Sequence, residues 1–459
     1  MAGTSHSNVR SVAPSGPRTA LAARVGLFDA TMVVMGGIVG SGIFINSYVV
    51  AKLVHTPAMI LGAWLAGGLL ALAGAFIYAE LADRMPEVGG QYAYIREAYH
   101  PLLGFLFGWA ELFVIGAGGS AAVVVTFARY FHDLTQISLP VNLIGTIAVA
   151  VLILVNCLGV RAGSGVQSFF MVLRIAGIAL LVACGGWFLW HGGPAVSWRP
   201  VLDRPVSFDL LTVFGATMIP ILFAYGGWQT SNFIAGEIRE PRKNLPRALL
   251  IGVLGVIVLY VSVNFIYLEA LTPSGLEATG TPASAVMQHA FGAFGERLIA
   301  VAIAISTIGF LSQSMLTFPR VYFAMADDGV LPRGIARLSS QSRAPVTAIV
   351  LQGAITIAVV LLGTFEQILS YVVVMDWLFF GLTASCIFVF RAREKWAPAT
   401  VDRIGYRVPG HPWTTAVFTS AAWLVVLNTI YKYPRNSAVA LGILFAGIPV
   451  YIGFQRFAR

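Results

Sequence analysis

Twelve stretches of this chain are long and apolar enough to cross a lipid bilayer, and no other feature limits its fold as much. They cover about 26–50, 58–82, 102–131, 142–160, 166–190, 210–237, 247–271, 296–326, 346–363, 366–390, 413–432 and 438–456. A helix needs roughly 20 apolar residues to cross a hydrocarbon core about 30 Å thick. In lipid only helices and closed barrels satisfy every backbone polar group. A barrel would show strands of about 10 alternating residues, and the chain has none of that pattern. Only 11% of the 459 residues are charged, against about 25% in soluble domains. Such a chain cannot cover a water-facing surface with charge. With 58% hydrophobic residues and a mean hydropathy of +0.81, the expected fold class is an all-α integral membrane protein with about 12 transmembrane helices.

The net charge of +9 does not point to nucleic acid, because the cations are scattered over many short loops and are not massed on one face. Of the 29 Lys and Arg residues, 21 fall on the side of the N-terminus, 7 fall opposite, and Arg174 lies inside a span. Cytoplasmic loops carry such an excess, so both termini are expected in the cytoplasm. Residues 1–25 are polar and basic with no apolar core, and read as a disordered cytoplasmic tail. Cys157, Cys184 and Cys386 lie in or beside apolar runs, which argues against a disulfide framework or a zinc site. No cofactor or metal is expected. The outer segment from Pro282 to His289 has the look of a short interfacial helix.

Two spans depart from ordinary helix composition. Span 1 holds Gly36-Gly37-Ile38-Val39-Gly40-Ser41-Gly42, and span 6 holds Phe223-Ala224-Tyr225-Gly226-Gly227-Trp228-Gln229 with Pro220 upstream. Glycine costs about 1 kcal/mol and proline about 3 in a helix interior. The clusters therefore suggest unwinding at mid-membrane, where freed N–H and C=O groups must find partners. A zwitterion supplies both, its carboxylate meeting a helix N-terminus and its ammonium meeting free carbonyls. The competing explanation is tight helix packing, since Gly36 and Gly40 form a small-xxx-small pair. What favours the site is the matched pair of clusters. An offset of five spans reverses direction through the membrane, as an inverted repeat requires, and interrupted segments at matching positions of two halves point to a transporter's site.

Gly40-Ser41-Gly42-Ile43-Phe44, the stretch Phe223 to Trp228, Glu237 and Asn244-Leu245-Pro246-Arg247 together resemble the amino acid–polyamine–organocation superfamily, and within it the L-type amino acid transporter branch and its bacterial relatives. The resemblance implies the LeuT-type fold. Spans 1–5 (26–190) and 6–10 (210–390) would be inverted repeats, followed by two peripheral spans and a short tail (413–459). It implies that the backbone of Ile38, Gly40, Ser41 and Gly42 holds the amino acid moiety of the substrate. The backbone of Phe223 and Gly226 would help bind the ammonium, the Phe223 ring would gate it, and Gln229 would lie nearby. In this branch a span 5 lysine resembles a built-in substitute for sodium, bridging span 1 backbone and span 8 hydroxyls. Arg174 falls at that position, with Ser306 and Thr307 as the span 8 partners. Arginine cannot take part in a proton switch, and a fixed charge fits sodium-independent transport. Animal members of the branch resemble light chains joined to a glycoprotein through a cysteine between spans 3 and 4. The corresponding loop here, about 132–141, has no cysteine, so no disulfide-linked accessory chain is expected.

Arg174 also stands out without the resemblance, since a cation roughly 12 Å into a span is costly and functional by default, unless it snorkels to the cytoplasmic face. Glu111 and Asp376 are the other deep charges. Each could be a proton carrier, a partner for a buried cation or a neutral acid; for Glu111 a structural role near the transport path is favoured, and Asp376 stays open. Glu80 and Glu237, near cytoplasmic span ends, suggest loop or gate ion pairs. The expected function is secondary transport of amino acids, neutral ones favoured unless Glu111 lines the pocket, by sodium-independent exchange or facilitated transport. A proton-coupled symporter is the nearest alternative. A membrane enzyme would need a nucleophile beside His or paired acids within one span, and no span has these.

Overall fold

The computed structural model describes residues 24–158, 160–192, 196–362, 365–394 and 405–457. Sixteen α-helices follow one another among the described residues. They are α1 (Leu27–Ile38), α2 (Gly42–Ala51), α3 (Pro57–Arg84), α4 (Gln91–Ala98), α5 (Pro101–Ala110), α6 (Gly116–Thr135), α7 (Val141–Cys157) and α8 (Val160–Trp190), then α9 (Phe208–Tyr225), α10 (Pro241–Ala278), α11 (Pro282–Thr317), α12 (Pro319–Asp327), α13 (Val346–Leu362), α14 (Phe365–Glu394), α15 (Trp413–Lys432) and α16 (Pro434–Phe457). A π-helical turn, Glu111–Ile115, joins α5 to α6, and a 3-10 segment, Trp228–Glu237, continues α9.

Ten continuous or near-continuous helical segments have the length and apolarity to cross a membrane. The fourth and ninth expected spans are α7 and α13, each 17 residues long, about 26 Å at 1.5 Å per residue and still within the range that spans. The protein is a multi-pass helical membrane protein. Its lipid-facing logic is plain on α7, where Leu143, Ile147, Val151 and Leu154 are exposed at helical spacing. Ile144, Val149, Leu152 and Asn156 on the other face are buried against the neighbouring helices. An exposed apolar stripe of this kind is a liability in water and a requirement in lipid.

Three spans are interrupted. The first breaks between α1 and α2, where Val39 is extended (ψ 93°). The sixth breaks after α9, where Gly226 is extended and Gly227 takes φ 99°, a region that favours glycine. The third is locally wound as a π turn at Glu111, a feature that often marks functional positions. Towards its N-terminal end α11 turns at Phe291 and Gly292, so that Pro282 to Ala290 forms a short helix of its own.

Arg24 and Val25, read from sequence as the end of the tail, pair with the backbone after the sixth span. Their N–H groups both lie 2.9 Å from the Glu237 carbonyl, and Arg239 N–H donates back to Val25 at 2.9 Å, an isolated parallel bridge between Val25 and Ile238. The backbone after the sixth span has a free edge there, and a paired edge removes the cost of unsatisfied groups. A second tie involves the segment before α15. Val408 N–H donates to Glu80 (2.7 Å) and Tyr406 N–H to Asp83 (2.9 Å). Glu80 is fully buried and also accepts from Arg84 and Arg391. Burial, with Arg391 close by, holds the nearby His411 imidazole below its usual pKa, and its Nδ1 lies 3.0 Å from the Thr415 hydroxyl.

Candidate functional site

The two interruptions in spans 1 and 6 meet at the middle of the bundle. A Cβ at Gly37 would collide with the Gly227 carbonyl oxygen, and a Cβ at Gly227 with the Gly37 carbonyl, so the two backbones touch only because both residues are glycine. Gly42 is similarly pressed against Ala224. The Tyr260 hydroxyl, from α10, lies 3.1 Å from the Ile38 carbonyl and 3.2 Å from the Ala224 carbonyl and stitches the two breaks together. Asn46 in α2 donates to the Pro220 carbonyl at 2.7 Å, and Ser47 to Asn264 at 2.8 Å.

Beside this crossing lies a cavity of about 60 Å³. Ile38, Gly40, Ser41, Gly42, Phe223, Gly226 and Gln229, the residues that the sequence singled out, all line it. The N-terminus of α2 opens into the cavity at Gly40 to Gly42. The first N–H groups of a helix have no partner within it and carry partial positive charge, which suits a carboxylate. The C-terminal end of α9 brings the opposite pole, with carbonyls at Phe223 and Ala224. The cavity thus presents donors and acceptors on neighbouring backbone, the arrangement a zwitterion requires. Gln229 faces the cavity but turns its Oε1 to the Gly227 N–H at 3.0 Å, so it braces the break as well as lining the space.

Arg174 is 1% exposed. Its Nη1 donates to the carbonyls of Gly36 (2.9 Å) and Val39 (2.7 Å), at the C-terminal end of α1. It does not snorkel. The negative pole of α1 is therefore occupied by a fixed cation, while the positive pole of α2 stays open to the cavity. The contact with span 8 differs from the expectation. Thr307 Oγ1 bonds to the carbonyls of Ile303 and Ala304 within α11, and Ser306 Oγ has no hydrogen-bond partner. Arg174 packs instead over Gly309, where a Cβ would run into its guanidinium. A helical serine or threonine readily bonds to its own preceding turn, and that local bond holds the Thr307 hydroxyl.

Of the two deep acids, Asp376 on α14 lines the cavity and Glu111 does not. Glu111 is 1% exposed at the start of the π turn, with Oε1 unpartnered. Neither makes an ion pair with a described residue. Glu237, at the end of the 3-10 segment, is paired with Arg320 of α12 at 2.8 Å, both 1% exposed. Sequence reasoning missed eight further lining residues, the apolar Ile115, Val123, Phe310, Phe318 and Val372, together with Gly119 of α6, Thr230 and Gln313. Gln313 carried a signal, as an amide in an apolar run, and its Nε2 donates to Thr230 Oγ1 at 2.7 Å. Among the described residues no group of three or more His, Cys, Asp or Glu side chains is placed to hold a metal ion.

A family model described as amino acid permease matches residues 25–454. The serine/threonine exchanger SteT of Bacillus subtilis (strain 168) is 31% identical over 436 residues, covering 94% of this chain and 97% of that protein. The large neutral amino acids transporter small subunit 2 of Mus musculus is 28% identical over 455 residues, 95% of this chain and 82% of the relative. The b(0,+)-type amino acid transporter 1 of Mus musculus is 30% identical over 393 residues, 82% of this chain and 78% of the relative. A match along nearly the whole length, with the broken spans and the cavity where they are, places the protein: the chain belongs to the amino acid permease family.

Proposed function

We propose that the protein is a secondary transporter that exchanges amino acids across the membrane by alternating access, without sodium. The observation that carries this reading is the cavity between the two broken spans, with helix N–H groups on one side and, on the other, the carbonyl end of α9 at Phe223 and Ala224, each of whose oxygens accepts one bond and has a second lone pair. The backbone of Ile38, Gly40, Ser41 and Gly42 would hold the α-carboxylate and that of Phe223 and Gly226 the ammonium, the Phe223 ring covering them. Arg174 would act as the permanent stand-in for a cation, since it fills the carbonyl end of α1. Spans 1–5 and 6–10 would rock as inverted repeats about this point. The relatives named above are an exchanger and transporters of amino acids, which supports transport over enzymatic chemistry. The distribution of cations supports both termini being cytoplasmic, and the likeness to a Bacillus subtilis protein over 94% of the chain supports a bacterial inner membrane. The cysteine-free 132–141 loop supports a transporter that works without a disulfide-linked chain.

The test is uptake of a labelled amino acid panel into proteoliposomes, empty or preloaded with unlabelled amino acid, with sodium or choline outside and with or without an inward proton gradient. Exchange predicts uptake at least ten-fold greater into preloaded vesicles, unchanged by sodium. Uptake into empty vesicles that rises with the proton gradient would instead establish a symporter, a reading favoured by the unpaired carboxyls of Glu111 and Asp376.

A further inference from the structure

The backbone poles of the cavity hold what all amino acids share and are blind to the side chain. The two broken helices supply one wall. The remaining wall comes from α6, α11, α14 and the turn between α11 and α12, and the substrate side chain can only point that way. Ile115, Val123, Phe310, Phe318 and Val372 make this wall apolar. Gly119 leaves it open, because a Cβ there would meet nothing within 4 Å. Two polar groups interrupt it. Asp376 is partly exposed to the cavity and has neither a hydrogen bond nor an ion pair to a described residue. Gln313 is fully buried. Its Nε2 is engaged by Thr230 and Thr317, and its Oε1 has no partner. Both groups thus offer oxygen atoms that accept no hydrogen bond from a described residue.

Resting on the exchange reading above, we infer that Asp376 and Gln313 form a side-chain subsite that selects amino acids with a short side chain ending in a hydrogen-bond donor, a hydroxyl or an ammonium, over aliphatic ones of the same size. A buried acceptor without a partner is costly, and the cost falls when the ligand supplies the missing donor. An apolar pocket by itself discriminates weakly between a side chain and its hydroxylated isostere, whereas a site built to hydrogen-bond a polar group strongly rejects the analogue that lacks it. The open space at Gly119 and the small cavity set the length.

The experiment compares matched pairs in exchange and in ligand-induced thermal stabilisation of the detergent-purified protein: serine against 2-aminobutyrate, threonine against valine, and 2,4-diaminobutyrate against norvaline. The donor-bearing member of at least one pair is expected to have a kcat/KM at least about ten-fold higher, the hydroxyl and ammonium pairs distinguishing the two donors. Asp376→Asn is expected to lower that ratio about ten-fold, and Gly119→Leu to exclude the longer members first. Stabilisation by ligand reports binding by any variant that is folded but slow. Equal use of both members of every pair, or an unchanged ratio in Asp376→Asn, overturns the subsite while leaving amino acid exchange standing. If no amino acid is exchanged or stabilises the protein, the exchange reading itself fails.

Discussion

Arg174 and Arg320 are equally buried, each 1% exposed, yet they are held in opposite ways. Arg320 meets a carboxylate, Glu237, and the two charges cancel. Arg174 meets no carboxylate among the described residues: Nη1 donates to the carbonyls of Gly36 and Val39 and lies 4.0 Å from Met171 Sδ, and Nε and Nη2 have no partners. The difference teaches what each charge is for. A cancelled pair is a structural tie, here between the end of the sixth span and α12. On the proposed reading, the uncancelled cation at the end of the half-helix is an electrostatic fixture, since the carbonyl end of a helix favours a positive charge beside it. A protein that binds a mobile cation at such a place depends on that ion's concentration, and one that carries its own does not.

Breaking the tie has the largest expected effect. Arg320→Met strands Glu237 as a buried charge and is expected to cost about 3–5 kcal/mol, read as a fall in thermal unfolding temperature in detergent. Replacing Glu237 by Met as well should recover most of that loss. If the double variant is as unstable as the single one, Arg320 is not a member of a cancelled pair in the working protein. Arg174→Met leaves two carbonyls unsatisfied, about 1–3 kcal/mol, partly offset by relief from burying a charge. Its exchange rate is expected to fall at least ten-fold, and no second substitution of an acid should restore it. A large stability loss rescued by removing an acid would erase the contrast between the two arginines. The exposed pair Lys243 and Glu240, 3.5 Å apart, sets the lower bound. Lys243→Gln should change stability by less than about 0.5 kcal/mol in the same assay.

Much of this was legible from residues alone. Gly36 to Gly42 and Phe223 to Gln229 announced the breaks, because glycine and proline change local backbone energetics wherever they stand. The twelve spans followed from run length, including the two that are only 17 residues long. The seven residues read as substrate contacts do line one cavity. What escaped was tertiary. Nothing local to Arg320 says that it is buried, since it sits near a span end like an ordinary cytoplasmic cation. Nothing local to Ser306 or Thr307 says that Thr307 is already satisfied within its own helix. The π turn at Glu111 has no compositional signature, and Asp376 could be placed in the cavity only by superposing α14 on the broken helices.

The strap formed by Arg24 and Val25 sets a tempo. If the first half-helix swings away to release cargo inward, three main-chain hydrogen bonds to Glu237 and Arg239 must open first. Each is worth about 0.5–1.5 kcal/mol, and every 1.4 kcal/mol is a factor of ten in population. On the exchange reading the Arg24–Val25 segment would work as an escapement, with a dwell that deleting the residues up to Val25 would shorten without altering what the cavity recognises.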